Sequence, residues 1–220
     1  MASWLIATWQ EAVERSKNNY LSELVNTFRI ERTILNSQEP PGPPDNLLVL
    51  VAHLADRENI SICDFGGATG YVGQAVLSYV PNANYTVVEN ETLVALATRR
   101  LNTHVKFVTS IPAACDIFYC GGTLQFLEHP LEIWKQALSS TRLACILVRN
   151  SFSERAIICL MRANLFDNGH GAIPAGYRNQ KVFYPHQTVP ESAINRVGQC
   201  ARIFPGAAFS AERRRVALRQ

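Results

Sequence analysis

The chain has 220 residues, 47% of them hydrophobic, and a formal net charge of +3. This composition predicts a globular domain with additional segments and excludes a disordered or fibrous protein. The net charge falls to −1 without four arginines in the last eight residues, so we expect no nucleic-acid partner. Those arginines are Arg213, Arg214, Arg215 and Arg219.

No apolar run reaches membrane-spanning length, and the first residues lack the basic start of a signal peptide. The six cysteines form no C-x-x-C pair and the five histidines show no metal-ligand spacing, so no metal site is predicted. Four cysteines lie in apolar, strand-like runs, where a free thiol behaves as a small core residue. We therefore expect a cytoplasmic protein without a membrane span.

Residues 1–37 are predicted to form an N-terminal helical cap. Apolar residues recur at helical spacing over residues 4–35, namely Trp9, Val13, Tyr20, Leu24 and Phe28. A homodimer through these helices is one expected assembly. Residues 38–46, "QEPPGPPDN", are predicted to be a linker, because proline interrupts a helix. Asp45 or Asn46 is expected to cap the helix that follows.

Residues 47–220 are predicted to form the main domain, in which strands and helices alternate. The strand-like runs are "ISICDF", "YTVVEN", "HVKFVTS", "DIFYCGG" and "LACILVRN". The helix-like runs between them are "YVGQAVLSYV", "ETLVALATRRL" and "PLEIWKQALSST". Nearly continuous apolar strands that alternate with helices indicate an α/β fold, with a Rossmann-like, doubly wound and mostly parallel sheet.

The pattern loosens after Asn150. The run "SERAIICLMRANLF" fits a helix or a strand, and "DNGHGAIPAGYRNQ" is typical of a loop. A short strand "KVFYP" and a short helix "PESAINRVGQC" are predicted next. The C-terminal end is irregular, which leaves open whether the strands of the domain are complete.

The motif "DFGGATGYVG", residues 64–73, joins the first strand of the domain to a helix. Its glycines suit a nucleotide-binding turn, which both dinucleotides and S-adenosylmethionine use. Asp64 would repel a pyrophosphate but favours the cationic amino and sulfonium groups of S-adenosylmethionine, which is therefore the predicted cofactor. Glu89 ends the second strand and can accept both ribose hydroxyls of either cofactor.

An NAD(P)-dependent short-chain dehydrogenase or epimerase-like protein is an alternative interpretation. Such an enzyme needs a Tyr-x-x-x-Lys pair on one helix, and the chain offers Tyr177 and Lys181. Pro174 and Gly176 stand just before that tyrosine and disfavour a helix there.

Four segments together resemble the class I S-adenosylmethionine-dependent methyltransferases: "ICDFGGATG", "YTVVEN", "CDIFYCGGTLQFLEHPLE" and "ACILVRNSF". More narrowly, they resemble a family of bacterial methyltransferases associated with surface-polysaccharide loci. An N-terminal W-x-x-A-x-x-x-S-x-x-Y segment of that family is approached, with one position of slippage, by Trp9, Ala12, Ser16 and Tyr20. The resemblance covers residues 5–155.

The resemblance implies roles for individual residues. The methionine part of the cofactor would lie among Asp64, Gly66, Gly67 and Gly70. Glu89 would hold the ribose, and Ser110 would contact the adenine. The methyl group and the acceptor would face Thr123, Leu124 and Gln125, and Arg149 would contribute to substrate binding.

Two residues depart from the family pattern. Ala68 replaces the middle glycine of the turn, and Val148 replaces an aspartate that often precedes Arg149. Together with the irregular C-terminal end, they keep open a second alternative, a non-catalytic or degenerate nucleotide-binding domain.

Methyl transfer is an in-line displacement, and a hydroxyl acceptor gains from a general base with a pKa near 7. His186 and His170 are the candidate catalytic residues, because histidine titrates in that range and both lie in the stretch that is expected to cover the pocket. Tyr184 is a further substrate-binding candidate. The predicted function is O-methylation of a small or glycan-linked acceptor, in a role such as polysaccharide biosynthesis.

Overall fold

A computed structural model of the chain describes residues 2–17, 19–39, 42, 45–55 and 58–200. The helices are α1 (Trp9–Arg15), α2 (Glu23–Leu35), α3 (Asn46–Leu54), α4 (Tyr71–Leu77), α5 (Glu91–Arg100), α6 (Pro130–Ser140) and α7 (Glu191–Cys200). The strands are β1 (Ala2–Leu5), β2 (Ser61–Phe65), β3 (Asn84–Val88), β4 (Lys106–Val108), β5 (Cys115–Gly121), β6 (Thr141–Val148), β7 (Phe152–Ser153), β8 (Ile158–Asn164), β9 (Lys181–Gln187) and β10 (Val189–Pro190).

A five-stranded parallel sheet forms the centre of the molecule, in the order β4-β3-β2-β5-β6. The strand order reverses at β2, so the switch point lies between β2 and β5, beyond their carboxyl ends. Residues of α3 and α4 pack on one face with Ile62, whereas residues of α6 and α7 pack on the other with Cys63. The predicted Rossmann-like, doubly wound fold is thereby confirmed.

The N-terminal segment differs from the continuous helix predicted over residues 4–35. Residues Ala2–Leu5 form a strand that pairs antiparallel with β8, and β8 pairs antiparallel with β9. The helical part is interrupted between α1 and α2, where the Ser22 side chain accepts a hydrogen bond from the Val25 N–H and caps α2. Serine favours such caps over helix interiors, because its hydroxyl competes for backbone hydrogen bonds.

Other local predictions are confirmed by the structure. Asp45 caps α3, and its Oδ1 accepts hydrogen bonds from the N–H groups of Leu47 at 3.1 Å and Leu48 at 3.2 Å. The ambiguous run after Asn150 is strand β8. The division into cap, linker and main domain stays a prediction. Strand β1 of the predicted cap pairs with β8 of the predicted main domain, so the two segments are joined by backbone hydrogen bonds. Residues 201–220, with the four arginines, lie outside the described residues.

Cys63, Cys115 and Cys120 are buried thiols in the core between the sheet and α6. Within the described ranges, no group of three or more potential metal ligands occurs. No described helix is long and apolar enough to cross a membrane.

Candidate functional site

The carboxyl edge of the parallel sheet brings most of the predicted site residues together. Because the five strands run in one direction, the segments that follow them share this edge. Asp64 lies near the end of β2, Glu89 directly follows β3, and Ser110 lies two residues beyond β4 and is exposed. Thr123 and Arg149 follow β5 and β6.

Asp64 lies beneath the glycine turn and is only 1% exposed. The Tyr85 hydroxyl donates a hydrogen bond to its Oδ2 at 2.9 Å. Burial raises the pKa of Asp64 to about 7, although the hydrogen bond from Tyr85 acts in the opposite direction. A Cβ atom on Gly67 would collide with this carboxyl group. Asp64 therefore supports the turn from inside the domain.

At Gly66 the turn after β2 comes into close contact with the turn after β5. Its φ is +73°, a left-handed conformation that glycine adopts without steric cost, and a Cβ atom there would collide with the Thr123 side chain. Thr123 precedes a short 3₁₀ turn, Leu124–Phe126, but its hydroxyl makes no capping hydrogen bond. Its side chain thus closes the space above Gly66 and does more than begin a helical turn.

Ala68 occupies the middle of the turn in a left-handed conformation, with φ +51°. Its N–H donates to Oε1 of Glu89 at 3.2 Å. The other oxygen, Oε2, accepts from the N–H and the side-chain amide of Asn90, both at 3.0 Å. The carboxylate of Glu89 is thereby fixed beside the glycine turn, and Oε1 keeps a lone pair for a further donor.

Asn26 of α2 completes this corner, and the sequence patterns did not indicate it. Its amide donates to Oδ1 of Asn90 at 3.3 Å. The residue is fully buried, and its own Oδ1 has no hydrogen-bond partner among the described residues. An unpaired buried acceptor near Glu89 suits a ligand that brings hydroxyl or amino donors, as a nucleoside does. A polar residue on the apolar face of α2 is the signal that could have identified it.

Helix α2 also fixes the loop that carries His170. The guanidinium of Arg32 donates to the backbone oxygens of Phe166 at 2.7 Å, Asn168 at 3.0 Å and Gly171 at 2.6 Å. The His170 ring stacks on Tyr71, the first residue of α4, with centroids 4.4 Å apart. Burial and the nearby arginine charges lower the pKa of His170. His170 therefore lies on the glycine-turn side of the edge.

Gln125 and Asn150 connect the segments that follow β5 and β6. Gln125 is 8% exposed; its Oε1 accepts from the Ser151 N–H at 3.0 Å and its Nε2 donates to the Arg149 oxygen at 3.4 Å. Asn150 accepts from the Leu124 N–H at 3.0 Å and donates to the Cys120 oxygen at 3.0 Å. Both amides are used within the protein and hold the two turns in place.

His186 and Tyr184 project from β9 towards these turns. Tyr184 is 3% exposed and packs with Tyr20 and Phe126, whose ring centroids lie 4.6 and 5.3 Å from its own. Nε2 of His186 lies 3.2 Å from the Ser151 hydroxyl, a contact that was not predicted. Burial lowers the pKa of His186, so the ring is neutral at neutral pH.

The two candidate histidines thus belong to different parts of the edge. His170 stacks above the start of α4, whereas His186 lies beside the segments that follow β5 and β6. Tyr177 and Lys181 do not share a helix, as expected. Tyr177 lies in a loop against Phe28, and Lys181 begins β9 and donates to Asn164 at 2.6 Å.

Comparison with known proteins gives a match at the level of structure alone. No protein-family model and no curated protein sequence matches the chain. The sugar N-methyltransferase KedS8 from Streptoalloteichus sp ATCC 53650 is similar, with 12% identity, a TM-score of 0.50, and coverage of 76% of this chain and 81% of that chain. The CcbJ methyltransferase from Streptomyces caelestis is similar with 11% identity, a TM-score of 0.51, and coverage of 82% and 87%. The chain therefore shares the fold of these two proteins.

Proposed function

We propose that this protein is an S-adenosylmethionine-dependent methyltransferase that methylates an oxygen of a small or glycan-linked acceptor. The observation that carries the proposal is the fixed carboxylate of Glu89, 3.2 Å from the N–H at the centre of the glycine turn. It offers an acceptor for ribose hydroxyls at the end of β3, one strand away from the switch point of the sheet. The unpaired oxygen of Asn26 adds a second acceptor near it.

The acidic character of this corner favours the methyl donor over a dinucleotide. Glu89 stands beside the turn where a pyrophosphate would need positive partners, and the carboxyl group of Asp64 lies directly beneath it. The lysine of the alternative dehydrogenase pair is bonded to Asn164 and lies on a strand. Two solved structures with this fold are described as methyltransferases, which agrees with the proposal.

The donor supplies a methyl group on a sulfonium sulfur, and the protein orients the two reactants. We infer that His186 accepts the proton of the acceptor hydroxyl while the new oxygen–carbon bond forms and the sulfur–carbon bond breaks. A neutral imidazole can take this proton at Nε2 through the Ser151 hydroxyl, which lies 3.2 Å away, because Nδ1 faces the Cys159 thiol at 3.6 Å. Tyr184 and Phe126 form an aromatic wall that excludes water from this side.

The finer assignments are also proposals. We place a helical cap at residues 1–37, a linker at 38–46 and the catalytic domain at 47–220. A homodimer through the N-terminal helices would cover Leu21 and Leu35, which are 66% and 52% exposed. We also propose a cytoplasmic location and a role in polysaccharide biosynthesis. Sedimentation equilibrium of the full chain tests the dimer, and a monomer at micromolar concentration would contradict it.

Calorimetric titration of the full chain tests the proposed function. We expect S-adenosylmethionine and its demethylated product to bind, whereas NADH and NADPH do not. Turnover is then measured over a panel of glycan and small-molecule acceptors. Failure of both methyl-cycle ligands to bind would reject the proposal. Binding of both without any turnover on the panel would favour a non-catalytic binding domain.

A further inference from the structure

We propose that Arg149 binds the carboxylate of the methionine part of the donor, and therefore belongs to the donor site and not to the acceptor site. This inference rests on the proposed function. It reassigns a residue that the sequence placed with the substrate.

The backbone of Arg149 turns its side chain back over the neighbouring strand. Its φ is +55°, a left-handed conformation that is strained for a non-glycine residue. Nη2 of the guanidinium lies 3.5 Å from the Gly121 oxygen, and a Cβ atom on Gly121 would come within 2.7 Å of that nitrogen. The guanidinium therefore lies over the end of β5, although the residue itself follows β6.

The charge of Arg149 acts on the glycine-turn side of the edge. It contributes to the lowered pKa of His170, and it partly opposes the rise that burial causes in the pKa of Asp64 and of Tyr119. Asp64 lies beneath the turn, and His170 stacks on the first residue after it. By contrast, burial alone accounts for the lowered pKa of His186 on the other side. The geometry and the electrostatics thus assign Arg149 to the side of the donor.

The order of the strands explains which part of the donor would meet the guanidinium. Glu89 follows β3, the glycine turn follows β2, and the Arg149 guanidinium lies over β5, on the far side of β2 from Glu89. In S-adenosylmethionine the ribose stands between the adenine at one end and the methionine part, with its carboxylate, at the other. A ribose held by Glu89 directs the methionine part across the turn towards β5.

The guanidinium is also available for an anion. No ion pair within 4.0 Å among the described residues includes Arg149, and its hydrogen bond to the Gly121 oxygen is long, at 3.5 Å. Arginine presents a planar set of donors that matches a carboxylate in a two-point hydrogen bond. A strained backbone that holds an unpaired cation at the edge of a site is typical of a binding residue.

Calorimetric titration with three ligands tests the proposal: S-adenosylmethionine, its decarboxylated form and 5′-methylthioadenosine. We expect Arg149→Gln to weaken S-adenosylmethionine binding about 10- to 100-fold, the range of a charge-assisted hydrogen bond. The affinities for the two ligands without a carboxylate should change less than about threefold. Arg149→Lys should recover part of the loss, because it restores the charge without the two-point geometry.

Arg142→Gln is the matched control, since Arg142 lies at the opposite end of β6 and pairs with Asp116 at 2.9 Å. It should leave all three affinities unchanged. The proposal would be overturned if Arg149→Gln weakened the binding of S-adenosylmethionine and of its decarboxylated form by the same factor. An unchanged affinity for S-adenosylmethionine would also overturn it. If the wild-type chain binds none of the three ligands, the proposed function fails instead. Circular dichroism of each variant separates these outcomes from misfolding.

Discussion

The two halves of the carboxyl edge are built in different ways. The donor half, which is proposed to bind the donor, follows β2, β3 and β4 and takes most of its chemical groups from residues 64–110, to which Asn26 and Arg149 are added. The acceptor half, which follows β5 and β6, is completed by β8 and β9. Ser151 contacts His186 across 35 positions, and Gln187 donates to the Glu128 oxygen across 59 positions, at 3.1 Å.

This difference separates the proposed binding of the donor from the proposed binding of the acceptor. The donor half is a short motif whose geometry is fixed by backbone conformation and by the carboxyl groups of Asp64 and Glu89. The acceptor half depends on the three-stranded antiparallel sheet β1-β8-β9, which is separate from the parallel sheet. Under the proposed function, acceptor specificity can change through β8, β9 and their loops while the donor site is retained.

The largest expected effect concerns the acceptor half. His186→Gln should lower turnover about 10²- to 10⁴-fold, the range of general-base catalysis, while donor affinity stays unchanged. Because burial lowers the pKa of His186 from its ordinary value, wild-type turnover should be constant at neutral pH and above and fall in the acid range. This fall should disappear in the variant. A pH–rate profile together with calorimetric titration measures both.

His170→Gln is the matched control for this prediction. His170 stacks on Tyr71 on the donor side, so its loss should leave the acid limb of the pH–rate profile in place. If His170→Gln removes the limb and His186→Gln does not, the assignment of the base to the acceptor half is wrong.

The next effect concerns the contact between the two halves at Gly66. Gly66→Ala adds a methyl group that collides with Thr123 and also forces alanine to φ +73°. We expect a loss of about 3 kcal/mol in the free energy of unfolding, from overpacking together with backbone strain. Urea denaturation measures this loss.

Gly176→Ala separates the two contributions. Gly176 also has a left-handed backbone, with φ +87°, but a Cβ atom there meets nothing within 4 Å. Its substitution should cost only about 1 kcal/mol. Equal losses at both positions would show that Gly66 is required for its backbone conformation alone and not for the approach of Thr123.

The buried carboxyl of Asp64 should make stability depend on pH. Its pKa is about 7 in the folded chain and ordinary in the unfolded chain, so the folded state binds the extra proton between about pH 4 and pH 7. The contribution of Asp64 to the free energy of unfolding should therefore fall as the pH rises, by at most about 1.4 kcal/mol per pH unit. Asp64→Asn should remove this slope in urea denaturation across that range. Identical slopes in both proteins would mean that Asp64 is ionised in the folded state.

The sequence predicts the donor half better than the acceptor half for a physical reason. Apolar runs predict β2 to β6, and the glycines and Glu89 lie within one contiguous stretch. The strand Ala2–Leu5 was not predicted, because four residues are too few to show the alternating hydrophobic pattern of a strand beside a helical pattern. Ser151 and Asn26 were also missed, because their partners are distant in sequence and only the folded chain brings them together.

The smallest expected effect tests the residue that departs most clearly from the family pattern. Ala68 has a left-handed φ of +51°, and its N–H bonds to Glu89. Ala68→Gly relieves the backbone strain but adds flexibility to the unfolded chain, so the free energy of unfolding should change by about 0.5 kcal/mol or less. The N–H that fixes Glu89 is retained, and donor affinity should stay within about twofold, because 1.4 kcal/mol corresponds to tenfold. A gain of tenfold or more in calorimetric titration would instead show that the alanine methyl group obstructs the donor. In that case the methyl group of Ala68 lowers the affinity of the wild-type chain for the donor.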